Sequence, residues 1–333
     1  MSIATAITNL QGKIANAYTA IENKGGTLPA TQNAENLSAT IDGIPAGAKF
    51  GATIDDVFQT VTENDETTLN MFGGVTDVTF TGVTKIPEYG MASKFQNTQL
   101  SSVSFPALKR AENYAFENAF KGCASLTIAS FPQLSTGGTS GFQSAFEDCA
   151  NLTNVSFPNI VAPNGGIFVS AFKNCSSLIS ISFPEAITIG VNAFKDAFHG
   201  CTNLTTVSFP KVATITGASA FSTAFGAGSS LYPSAGVTYL SFPALTSIVA
   251  NSSNAGNATF YNNKPITRID LPALTEMKRT ATATTDNLTY IFSNCTNLAE
   301  LHFGADNQTV IEASDGYASK WGAPSTCQIY FDL

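Results

Sequence analysis

Cys201-Thr-Asn-Leu204-Thr-Thr-Val207-Ser-Phe209-Pro210-Lys-Val212-Ala-Thr-Ile215 is one beat of a clock. Phe-Pro recurs at Phe105, Phe131, Phe157, Phe183 and Phe209, each 26 residues after the last. Cys123, Cys149, Cys175 and Cys201 keep the same interval. A fixed period in this range marks a stacked repeat, because a single unit cannot bury its apolar face alone. The run before Phe-Pro reads as a strand with Leu204, Val207 and Phe209 turned inward and Thr206 and Ser208 turned outward. Proline cannot donate to a ladder, so it marks each strand's end.

Working outward, matching strands end at Phe80, Phe105, Phe131, Phe157, Phe183, Phe209, Phe242, Leu271, Phe303 and Phe331. About ten parallel strands are therefore expected to stack into one sheet. Each regular unit also carries two phenylalanines four apart: Phe116/Phe120, Phe142/Phe146, Phe168/Phe172, Phe194/Phe198 and Phe221/Phe225. Spacing of four puts both on one face of a helix. The fold class is accordingly α/β: a solenoid with a stacked parallel β-sheet, short helices on the other face and two aromatic ladders inside. With the six strand-end phenylalanines of residues 105–242, these ladders absorb 16 of the 25 phenylalanines, as core and not as a binding surface.

The unit resembles the BspA-like, or treponemal, class of leucine-rich repeats, whose pattern is Ala-Phe-x-x-Cys-x-x-Leu-x-x-Ile-x-[Ile/Leu]-Pro. The matching residues are Ala197-Phe198, Cys201, Leu204, Val207 and Phe209-Pro210. The resemblance covers about residues 69–333, and the second phenylalanine is a departure from it. A second resemblance concerns residues 1–60. Lys24-Gly-Gly-Thr-Leu-Pro-Ala-Thr-Gln-Asn33 and Lys49-Phe-Gly-Ala-Thr-Ile-Asp55 look like the leader of tail appendage proteins of phages infecting Gram-positive gut bacteria.

Three domains are expected: an N-terminal α-helical docking and oligomerisation segment over 1–45, a transition over 46–68, and the solenoid over 69–333, irregular after 210. Ile3, Ile7, Leu10, Ile14, Ala17 and Ile21 make an a/d seam. It is too short to be stable alone. It either folds back on the second helix, near 31–42, or drives a homo-oligomer, with a trimer favoured. The acidic stretch Glu63, Asp65, Glu66 reads as a solvated turn; a calcium ion near 55–66 is left open, since no EF-hand spacing is present.

Net charge is −8 and only 12% of residues are charged. That balance argues against nucleic acid and against an anionic membrane surface. No stretch approaches the length of a spanning helix, so no membrane insertion is expected. The N-terminus lacks the basic and apolar regions of a secretory signal.

No cofactor, metal or catalytic residue is assigned. A row of in-register cysteines cannot make a tetrahedral zinc site and is poorly aimed for disulfides; a reduced core ladder is expected. His199 follows Lys121, Glu147 and Lys173 in one slot, and a slot accepting both signs reads as solvent-facing. No nucleophile elbow, phosphate loop or paired-acid motif appears, so an enzyme is not expected.

The outward strand positions change character along the chain. One track reads Ser104, Ser130, Ser156, Ser182, Ser208, Ser241, Asp270, His302, and its neighbour Ser102, Ile128, Asn154, Ser180, Thr206, Tyr239, Arg268, Glu300. In-register stacking sets Arg268 beside Glu300 and Asp270 beside His302. This cluster is either ion pairing on a terminal capping region or a ligand-binding patch made of Tyr239, Arg268, Asp270, Glu300 and His302. The leading expectation is a structural and adhesive component of a phage or phage-like tail, located in the virion. Its N-terminus would dock on other tail or baseplate proteins, and its solenoid would meet a host cell-surface glycan or protein. The alternative is a BspA-like adhesin on the bacterial cell surface.

Overall fold

The computed structural model describes residues 76–80, 82–226, 234–250, 259–279, 290–314 and 317–333. The expected N-terminal helices and their seam, the transition segment and its acidic turn lie outside the described residues, as do parts of the two inserts.

The front strands are β1 (Asp77–Thr79), β3 (Ser102–Ser104), β5 (Ile128–Ser130), β7 (Asn154–Ser156), β8 (Ser180–Ser182), β10 (Thr206–Ser208), β12 (Tyr239–Ser241), β14 (Arg268–Leu271), β16 (Glu300–Phe303) and β17 (Gln328–Phe331). These are the ten strands expected before Phe80 through Phe331, and every pair is parallel and in register. They hydrogen-bond in runs of four, two and four, not as one unbroken sheet. The strand-end phenylalanines carry the stack across both joints, with ring centroids 6.3 Å apart for Phe157–Phe183 and 5.7 Å for Phe209–Phe242.

A second ladder follows the strand-end corners of all but one coil from β1 to β14 and was not anticipated. It comprises β2 (Lys85–Ile86), β4 (Arg110–Ala111) and β6 (Thr136–Gly137), then β9 (Thr188–Ile189), β11 (Thr214–Ile215), β13 (Ser247–Ala250) and β15 (Glu276–Arg279). The two runs part where the 26-residue beat places Pro163, which has no N–H to give. The recurring Thr188-Ile189 and Thr214-Ile215 were the available signal.

The expected back helices are absent from the described regular coils; stacked turns take their place. A positive φ recurs every fourth residue, as at Tyr114 (54°), Asn118 (53°) and Gly122 (72°). That left-handed residue resets the chain before a helix can propagate. N–H groups alternate in direction. Phe116 donates to Gly141 O in the next coil (2.7 Å), whereas Ala119 donates to Phe116 O in its own (3.0 Å). Each four-residue unit thus returns its phenylalanine to the same inward face, which helix periodicity also predicted. The sole α-helix among the described residues is α1 (Gln308–Glu312), between 3-10 turns at Ala305–Asn307 and Tyr317–Gly322.

Both aromatic ladders form. Phe116–Phe142 stack at 4.6 Å and Phe120–Phe146 at 5.4 Å, and Phe131 meets Phe142 edge-on at 5.2 Å. Fully burying one such ring stabilises by about 2–3 kcal/mol, and a well-placed aromatic neighbour adds about 0.5–1.5 kcal/mol. The cysteines are free and buried. Each ladder thiol donates to a phenylalanine carbonyl of the preceding coil, as Cys175 does to Phe146 O at 3.1 Å and Cys201 to Phe172 O at 2.9 Å. Burial pushes these thiols up, Cys201 and Cys295 to about 12 and Cys327 to about 11. They are protonated, packed groups at neutral pH.

The Lys121–Glu147–Lys173 slot differs from its expected solvent-facing character. Glu147 is buried, with Oε2 2.9 Å from Lys121 Nζ and Oε1 3.3 Å from Lys173 Nζ. The sign alternates because each coil pairs with its neighbours, not because the slot is indifferent to charge.

Candidate functional site

From β12 onward the front face is built differently. In the regular coils its outward positions carry serine, threonine and asparagine, with Ile128 the apolar exception. Register then aligns Tyr239, Arg268, Glu300 and Gln328 in one row, and Ser241, Asp270, His302 and Tyr330 in the next. Parallel strands leave only about 4.8 Å between neighbours, so these long side chains must interact.

Asp270 is the hub, only 6% exposed. Arg268 grips it with two donors, Nε to Oδ1 at 2.7 Å and Nη2 to Oδ2 at 3.1 Å. Tyr239 donates its hydroxyl to Oδ2 at 2.7 Å. Burial pushes the Asp270 carboxyl up, but the bonds from Arg268 and Tyr239 outweigh it and hold it below its ordinary value. Tyr239 moves the other way, raised by burial and by its bond to that carboxylate. The Arg268 guanidinium carbon also lies 5.7 Å from the centre of the Tyr239 ring.

His302, also 6% exposed, is held at both nitrogens. Nδ1 is 2.7 Å from Asp332 Oδ1 and Nε2 is 3.3 Å from Glu300 Oε2. Tyr330 stacks on the imidazole at 4.5 Å. Arg268 Nη1 lies 3.7 Å from Glu300 Oε2, which joins the two halves.

All five residues predicted from sequence therefore come together, with partners that differ in strength from the expected pairs. Arg268 binds Asp270 of its own strand more closely than Glu300, and the short contact of His302 is to Asp332. Sequence reasoning missed Gln328, Tyr330 and Asp332 because it stopped at the eighth aligned position. Extending the same two tracks to the strand ending at Phe331 would have found the first two. Tyr239 and Tyr330 remain 46% and 38% exposed, so the cluster offers two rings and the edges of Arg268 and Glu300 to solvent. Among the described residues, no group of three or more His, Cys, Asp or Glu is arranged to hold a metal ion.

A second polar side chain stands where the back changes. Asn263 is 1% exposed and occupies the cysteine position of Phe260-Tyr-Asn-Asn263-Lys-Pro-Ile266. Its Oδ1 accepts from Phe225 N at 3.0 Å, and its Nδ2 donates to Phe221 O at 2.7 Å and Phe260 O at 2.9 Å. Phe260 stacks on Phe221 at 5.3 Å and Phe292 on Phe260 at 5.5 Å. One aromatic column continues; the other stops at Phe225, and the Asn263 side chain closes its end.

This single-phenylalanine unit, Phe260-x-x-Asn263-x-x-Ile266 and then Phe292-x-x-Cys295-x-x-Leu298, is the repeat without its extra turn. The model of the BspA type Leucine rich repeat region matches residues 92–225, 170–288 and 238–314, in six copies. The chain belongs to this family. No curated protein matches it. Among solved structures, a leucine-rich repeat protein from Bacteroides ovatus ATCC 8483 is similar at 18% identity, over 77% of this chain and 75% of that one, with a TM-score of 0.34. Another, from Eubacterium ventriosum ATCC 27560, is similar at 14% identity over 68% of each chain, with a TM-score of 0.25. The strand, corner and cysteine column fit the repeat pattern quoted above for this family, and the second phenylalanine departs from it.

Proposed function

We propose that the protein is a surface-displayed adhesin that binds through the front cluster of its C-terminal coils. The supporting observation is that Tyr239, Arg268, Asp270, Glu300, His302, Tyr330 and Asp332 hold one another in place while two tyrosine rings stay open to solvent. Side chains fixed before binding lose little entropy on binding, and Tyr and Arg are the residues that most often dominate recognition. The partner is a cell-surface glycan or protein, and the role is binding, not catalysis. Among the described residues no helix is long and apolar enough to cross a membrane. The test is binding of the intact protein to a panel of immobilised glycans and matrix proteins. Replacing Tyr239 and Arg268 together by Ala is expected to weaken the strongest hit by about thirtyfold or more, the size of a loss above 2 kcal/mol. Ser156→Ala should leave it unchanged. Equal binding by both variants removes the patch.

A second reading, an appendage of a phage or phage-like tail carried in the virion, is favoured by the leader resemblance of residues 1–60. On it, Ile3, Ile7, Leu10, Ile14 and Ile21 assemble a homo-oligomer that docks on other tail or baseplate proteins. Deleting residues 1–45 is then expected to convert an oligomer, a trimer by preference, into a monomer with its solenoid still folded. Unchanged mass in light scattering counts against this reading.

A further inference from the structure

Asn164-Gly165 is the one Asn-Gly pair in the sequence. It sits beside Pro163, at the joint between the two runs of the second ladder. Neighbouring coils place Gly138, Gly190 and Gly217 where this coil has Asn164. The Asn164 side chain lies over the next coil, where a Cβ at Gly190 would collide with its Oδ1. Two backbone N–H groups converge on that oxygen, from Gly165 at 2.7 Å and from Val191 at 2.9 Å. Asn164 itself is exposed.

We propose that this joint is a self-modification site, at which Asn164 cyclises onto Gly165 and is converted to a mixture of aspartate and isoaspartate. The short Gly165 N to Oδ1 contact keeps the backbone nitrogen close to the side-chain carbonyl carbon, so the ends of the ring are already together. Gly165 has no Cβ to obstruct the approach and holds the φ of +57° that the turn demands. The Val191 N–H faces the oxygen on which negative charge develops, as a single oxyanion donor.

The step balances without any oxidant or cofactor. Water takes the Gly165 amide proton, and the nitrogen attacks Asn164 Cγ. The Cγ–Nδ2 bond then breaks, and Nδ2 departs as ammonia with a proton from solvent. A second water opens the succinimide at either carbonyl, leaving an ordinary aspartyl bond or an isoaspartyl one. The chain gains one negative charge beside Val191. In the isoaspartyl product it also gains one backbone methylene at a joint where Pro163 has no N–H to give the preceding coil, though its carbonyl accepts from Gly190 N at 2.8 Å.

The experiment incubates the full chain at pH 8 and 37 °C, folded and in parallel in urea, and follows the peptide spanning Asn164 by mass spectrometry and isoaspartate detection. Loss of the unmodified peptide in the folded sample, greater than at any other asparagine and abolished in Asn164→Gln, is expected. An intact Asn164 in the folded protein overturns the proposal whether or not the urea sample reacts, since the fold then protects the residue or the pair is inert.

Discussion

The coils of residues 102–226 and those of residues 239–331 share strand, corner and inward phenylalanine, yet each half elaborates a different face. The first half thickens the back, with an extra four-residue turn and a second aromatic column in every coil, and keeps its front small and mostly polar. The second half drops the extra turn, closes the finished column with Asn263, and builds on the front instead. The pairing teaches that the two faces are independent. The front tolerates any side chain that its in-register neighbours can satisfy, because the core is packed from the strand's other side. The back can lose four residues at a time, because one turn unit is also one hydrogen-bonding unit.

Packing should show the difference most strongly. Phe157 stacks between Phe131 at 5.0 Å and Phe183 at 6.3 Å, with Phe142 and Phe168 edge-on at 5.1 and 5.0 Å. Phe292 stacks on Phe260 alone among the described rings. Both are fully buried. Phe157→Ala is expected to cost about 4 kcal/mol of unfolding free energy. Phe292→Ala should cost about 1–2 kcal/mol less, the worth of the missing aromatic neighbours. Urea denaturation followed by circular dichroism measures both. Equal losses would mean that the additional aromatic neighbours of Phe157 add bulk without added strength.

The cysteine slot gives a smaller and sharper contrast. Cys175→Ala removes a thiol whose acceptor, Phe146 O, keeps its bond from Cys149 N, so nothing is orphaned and about 1 kcal/mol is expected. Asn263→Ala leaves the Phe225 N–H without the Oδ1 it binds, deep in the core. Stranding a buried donor costs about 1–3 kcal/mol, so Asn263→Ala should destabilise by about 2 kcal/mol, more than the cysteine change at the same slot. The reverse order would show that Asn263 fills space and does not close the column.

Most of the front was legible because a period of 26 fixes register, and register fixes neighbours. Arg268, Asp270, Glu300 and His302 could be set side by side from alignment alone. Their pairing strengths could not, since these depend on reach across and along strands, as the Arg268 fork onto Asp270 shows. The back was legible in composition and not in conformation: phenylalanines four apart face one way in a helix and in a series of turns alike. Only the Tyr, Ser, Asn, Asp and Gly residues at every fourth position hinted at left-handed backbone, and tyrosine is a poor advertisement for it. Asn263 was hidden because it replaces cysteine in a coil whose spacing had already slipped.

Acid should separate the halves by the least. Glu147 in the regular coils and Asp270 in the C-terminal ones are both held below their ordinary values; burial opposes this in each, and the lysines or Arg268 and Tyr239 overcome it. A carboxylate depressed in the folded state stabilises above its unfolded value, near 4 for either residue. That contribution fades as pH falls through the lower, folded value, because the unfolded chain takes up the proton first. At neutral pH, Asp270→Asn is expected to cost about 1 kcal/mol, since the amide keeps one acceptor oxygen for the three donor contacts from Arg268 and Tyr239. Glu147→Gln should cost less, because its lysines are partly solvated and flexible. Both differences from the parent protein should shrink when unfolding is repeated below pH 4. If the Asp270→Asn deficit persists in acid, the Arg268 and Tyr239 contacts matter for their shape and not for the charge they surround. The front cluster would then be held together by packing, as the back is.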